Sequence, residues 1–130
     1  MGTHLKIVDG YVEAGFPSPA DEYLESAIDL NDLLIKNPPA TFLVRAKGES
    51  MIDAGIFEDS LLVVDRALEV RNGLICIAYL NGNFTVKRFY RKEHYIELHA
   101  ENKNYSNLIV KDLDHFEVWG VVRSVITNVL

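Results

Sequence analysis

The sequence predicts a mainly β fold, a compact set of short, mostly antiparallel strands with one or two short N-terminal helices. Three observations carry that expectation. Several short runs rich in β-branched and aromatic residues lie close together between residues 41 and 129. Asn81-Gly82 joins two of them directly, and both residues tolerate the positive φ that a tight hairpin requires. Finally, the gaps between runs leave little room for the helical crossovers of a parallel sheet.

The elements are read in chain order. Residues 1–14 scatter apolar positions (Leu5, Ile7, Val8, Tyr11, Val12) without helical caps, and form an N-terminal arm. Gly15-Phe16-Pro17-Ser18-Pro19 follows, where two prolines remove amide donors and favour extended or turning backbone. Residues 15–40 are thus a hinge with short helices. One helix spans Ala20–Glu25, with Asp21, Glu22 and Glu25 on a solvated face. A second covers Leu30–Ile35, capped by Asp29 and stopped by Pro38-Pro39. Strands are expected at Thr41–Ala46, Ser60–Asp65, Leu74–Leu80, Asn83–Tyr90, Tyr95–His99 and Phe116–Val129, which makes residues 41–130 a β domain.

Composition narrows the function. Of the 130 residues, 48% are apolar and 25% charged, ordinary values for a soluble domain with a real core. A net charge of −6 argues against a broad phosphate-tracking surface, and so against direct sequence-specific DNA binding. No apolar run reaches the roughly 20 residues that span a bilayer, and the N-terminus lacks the apolar core of a secretory signal. The single Cys76 sits in an apolar run and reads as a small buried residue, consistent with a cytoplasmic location. His4, His94, His99 and His115 are scattered without metal-ligand spacing, so neither metal nor cofactor is expected. Trp119, with Phe116, Val118, Val121 and Val122, belongs to the core or a dimer surface.

Two positions could carry chemistry. Ser50 lies in Gly48-Glu49-Ser50-Met51, a turn-rich loop after the first domain strand, where Gly48 permits close backbone approach. Taken alone, such a serine more often caps a turn. Lys87 lies within Phe84-Thr85-Val86-Lys87-Arg88-Phe89-Tyr90, where alternation sets Thr85, Lys87 and Phe89 on one face. A lysine is a general base only when neutral, which requires withdrawal from water. Periodicity alone favours a strand lysine with its amine in solvent.

A family resemblance links these residues. The runs Ala14–Ala20, Ile28–Asn31, Gly48–Asp53, Asp59–Asp65 and Phe84–Arg88 resemble the UmuD family nearly end to end. The Ser and Lys segments also resemble the C-terminal domain of LexA and related phage repressors. The resemblance implies a LexA-like peptidase fold, Ser50 as nucleophile, Lys87 as general base, the amides of Glu49 and Ser50 as oxyanion hole, and Ala14-Gly15 as the scissile bond. It implies a homodimer whose self-cleavage is stimulated by the RecA–single-stranded DNA filament in the SOS response. The processed chain 15–130 would then join a Y-family, UmuC-like polymerase in translesion synthesis. Two departures stand out: UmuD has Cys where this chain has Ala14, and the arm is shorter. Ala is also small, as in LexA-type sites, and 14 extended residues still reach about 45–50 Å. The alternatives are a non-enzymatic β-fold adaptor or a headless LexA-like regulator. Residues 1–40 are too few and too poorly patterned for a helix-turn-helix.

Overall fold

The computed structural model describes residues 5–17 and 25–130, in two compact units that divide after Lys36. In the first, β1 (Leu5–Val8) pairs antiparallel with β2 (Glu25–Ile28), Leu5 opposite Ile28. Helix α1 (Leu30–Leu34) follows, and the Asp29 carboxylate accepts the Asn31 amide at its start (2.9 Å). Most of the first expected helix, residues 20–24, lies outside the described residues. Its last residue, Glu25, opens a strand instead of lying on a helical face, because it pairs with Val8 in a ladder that local sequence does not announce. Residues 11–17 are exposed and outside regular structure.

The second unit is one antiparallel sheet of seven strands: β3 (Thr41–Arg45), β4 (Leu61–Asp65), β5 (Ile75–Leu80), β6 (Asn83–Arg91), β7 (Ile96–His99), β8 (Leu108–Val110) and β9 (Phe116–Ile126). Their order is β3-β4-β9-β5-β6-β7-β8, so the last strand is inserted between β4 and β5. This is the mainly antiparallel β fold that the sequence predicts, with the six expected strands present and β8 added. The β5–β6 hairpin turns at Asn81 (φ 50°) and Gly82 (φ 83°), the positive-φ pair its two-residue loop demands.

Apolar residues cover both faces of the sheet, and alternation along β5 divides them. Ile77 joins Leu62, Val64, Ala46, Met51 and Ile56 on one side, with Trp119 and Val122 packed at the margin. Cys76 and Ala78 join Phe89, Ile96, Leu98 and Val110 on the other. Cys76 is fully buried, and loss of hydration pushes its thiol up to about 12, which makes it an unreactive packing residue.

Strand β9 bends by two register shifts, one against β4 between Val63 and Val64 and one against β5 between Ile77 and Ala78. Gly120 lies at this crossing, and a Cβ there would sit 2.5 Å from Val64 Cγ1. Gly120→Ala is therefore expected to cost about 1–3 kcal/mol by overpacking. Urea unfolding should show it as a lowered midpoint at unchanged slope; an unshifted midpoint would mean that the bulge relaxes freely.

Candidate active site

The chain leaves β3 at Ala46 and returns at Ser60, and this loop carries Ser50. Two backbone bonds close its base: the Ala46 amide donates to the Ser60 carbonyl (2.8 Å), and the Asp59 amide to the Ala46 carbonyl (3.0 Å). Buried Met51 and Ile56 anchor it to the first apolar cluster. Gly48 adopts φ +88°, a conformation costly for any residue with a Cβ, and its amide donates to the Glu58 carboxylate (2.6 Å). Glycine is needed here for the turn that presents the next two residues.

Lys87 comes from β6, opposite Cys76 of β5. Strand β7 pairs with β6 only over Arg88–Arg91, so Lys87 lies just beyond that ladder. Its side chain is buried, at 8% exposure, and its amine donates to Ser50 Oγ (3.0 Å), Thr85 Oγ1 (2.9 Å) and the Val86 carbonyl (3.1 Å). The solvated strand lysine that periodicity alone favours is thus not what the fold produces. Burial lowers the Lys87 pKa from the ordinary 10.5, because the ammonium form loses more hydration than the amine. The three contacts also suit the neutral amine. Its two N–H bonds can serve Thr85 and Val86, leaving the lone pair to accept the Ser50 hydroxyl proton.

Behind Ser50 runs the segment that follows β7. The Glu101 amide donates to the Ser50 carbonyl (2.8 Å), the Asp53 amide to the Glu101 carbonyl (2.8 Å), and Asn102 Nδ2 to the Glu49 carbonyl (2.8 Å). The Glu101 side chain pairs with Arg88, whose guanidinium also donates to the Gly73 carbonyl (2.6 Å). In front lies a cleft of about 250 Å³, lined by Val44, Ala46, Ile77 and Val86 with the Ser50 and Thr85 hydroxyls. Sequence reading gives no role to Thr85, Glu101 or Asn102. Thr85 was within reach, since it shares a strand face with Lys87 two residues away.

Ala14 and Gly15 are both exposed in the first unit, in a bend beyond β1, and a Cβ on Gly15 would meet nothing within 4 Å. Among the described residues no group of three His, Cys, Asp or Glu could hold a metal ion. Nor is any described helix long and apolar enough to cross a membrane.

Comparison with known proteins places these residues in context. Residues 6–123 match the Peptidase S24-like family. The chain is 44% identical over 115 residues to Protein ImpA of Salmonella typhimurium, covering 88% of this chain and 77% of that one. It is 44% identical over 113 residues to Protein SamA of the same species (87% and 78%). It is 43% identical over 121 residues to the LexA repressor of Proteus mirabilis, covering 92% of this chain but 59% of the repressor.

Proposed function

The chain belongs to the UmuD- and LexA-like Peptidase S24 family, and on that premise we propose that it is a serine endopeptidase that cuts its own bond between Ala14 and Gly15. The observation that carries this reading is the 3.0 Å contact between the buried Lys87 amine and Ser50 Oγ. The amine takes the hydroxyl proton as Ser50 Oγ attacks the Ala14 carbonyl carbon. The developing oxyanion is held by the amides of Glu49 and Ser50. The proton passes to the Gly15 nitrogen as the peptide bond breaks, and water then releases residues 1–14 from the Ser50 ester.

Small side chains at both positions let the scissile carbonyl approach the serine, and tethering supplies a high effective concentration without tight binding. The reaction is slow while the arm occupies the cleft only part of the time. A RecA–single-stranded DNA filament that favours the docked state accelerates it, placing the protein in the SOS response. The product, residues 15–130, acts as a homodimeric adaptor on a Y-family polymerase during translesion synthesis in the cytoplasm. A purely adaptor role is the rival reading, and one incubation separates them. Purified protein held at alkaline pH is expected to lose residues 1–14, visible by intact mass. A chain that stays whole there, and with activated RecA, would be an adaptor only.

A further inference from the structure

We propose that Asn102 is a positioning residue for self-cleavage, acting through the backbone to aim the Ser50 amide at the oxyanion. The inference rests on reading Ser50 as the nucleophile. It starts from the planarity of the peptide unit, in which C=O and N–H point in opposite directions. The unit joining Glu49 to Ser50 has its carbonyl held from behind by Asn102 Nδ2 (2.8 Å), so its N–H is turned the other way. The next unit is held likewise, because the Ser50 carbonyl accepts the Glu101 amide (2.8 Å). Both carbonyls flanking the serine are therefore held by the segment after β7, that of Glu49 sharing its second lone pair with the Ile52 amide of its own loop (3.3 Å).

Asn102 is built for this task. It is 9% exposed, and both ends of its carboxamide are used: Nδ2 donates to Glu49, while Oδ1 accepts the Asn104 amide (3.0 Å). The Asn102 carbonyl further accepts the Tyr105 amide (3.0 Å), which closes the turn around it. The side chain is thus locked before any substrate arrives, as an oxyanion hole requires if it is not to reorganise during the reaction. An aspartate would keep the acceptor for Asn104 but set a carboxylate oxygen against the Glu49 carbonyl. The amide it aims would then swing away.

The test measures self-cleavage against pH in Asn102→Asp, Asn102→Ser and the parent, with Ser50→Ala alongside. Asn102→Asp is expected to lower the plateau rate about 10- to 100-fold, the scale of a misplaced but not deleted catalytic group. The pH of half-maximal rate should not move in the uncharged Asn102→Ser, since Lys87 and its contacts are untouched. In Asn102→Asp the added carboxylate favours the ammonium and is expected to raise that pH. Asn102→Ser, whose hydroxyl is too short to reach Glu49, is expected to show the same loss of plateau rate, whether or not the aspartate variant folds. A plateau within twofold of the parent in a folded variant would overturn the inference. So would a shifted half-maximal pH in Asn102→Ser, which would mean general disturbance of the Ser50–Lys87 contact. Cleavage persisting in Ser50→Ala would instead overturn the nucleophile assignment itself.

Discussion

Lys87→Ala is expected to reduce self-cleavage at Ala14-Gly15 by about 10⁴-fold or more, and Ser50→Ala to do the same, since members of a nucleophile–base pair fail together. The size follows from the environment of the amine. Lys87 is buried, with acceptors on three sides, and no other titratable side chain contacts Ser50 Oγ among the described residues. Lys87→Arg is not expected to rescue activity, because a guanidinium keeps its proton across the accessible pH range. In the parent the rate should climb with pH and level off below 10.5, where burial has placed the Lys87 titration. Following the 15–130 fragment by mass across pH decides the matter. Cleavage by either alanine variant, or a parent rate that stays flat from neutral to alkaline pH, would remove Lys87 as the base.

The same burial has a thermodynamic consequence of definite sign. Between its folded pKa and 10.5, Lys87 binds fewer protons in the folded chain than in the unfolded one, so its contribution to stability rises with pH. Below the folded pKa the full cost of burying an ammonium is present. Lys87→Met is therefore expected to be more stable than the parent at neutral pH, with the difference closing as pH approaches 10.5. A reactive site that destabilises its own fold is a familiar compromise.

How much of this could be read from the sequence depended on range. The β5–β6 hairpin was legible because Asn81-Gly82 fixes both turn and register locally. Strand β8 was not, because Leu108-Ile109-Val110 is too short for alternation to register amid Asn, Ser and Lys. The β1–β2 pairing was hidden for another reason. Its strands lie almost wholly exposed, so no apolar face distinguishes them from the arm and hinge around them. Ser50 and Lys87 are 37 positions apart, and no periodicity connects them; family resemblance supplied the pairing and the fold supplies the contact. Asn102 was invisible, since Glu101-Asn102-Lys103-Asn104 reads as an ordinary polar turn whose long-range bond only tertiary structure creates.

Asp65→Ala is expected to be the most damaging substitution outside the site, costing about 3 kcal/mol and lowering Tm by roughly 10 °C. Asp65 ends β4 fully buried, and its carboxylate accepts from Arg123 Nε (2.8 Å), Asn37 Nδ2 (2.6 Å) and the amides of Ala67 (2.8 Å) and Leu68 (3.2 Å). Burial by itself would raise its pKa. The hydrogen bonds from Arg123, Asn37 and Ala67, with the Arg123 charge, outweigh that and hold it below 3.8. One carboxylate thereby ties β4 to β9 and to the turn that launches β3, the strand feeding the Ser50 loop. The lower end of the cost for breaking a buried pair applies, because Arg123 is 30% exposed and can rehydrate once orphaned. The pH dependence carries the signature. With a depressed folded pKa, the Asp65 contribution is fully present above about 3.8 and is lost as pH falls through the folded value. Urea unfolding of parent and Asp65→Ala should therefore differ by the full amount at neutral pH and converge in strong acid. A constant difference across that range would mean that packing, and not the charge network, sets the cost.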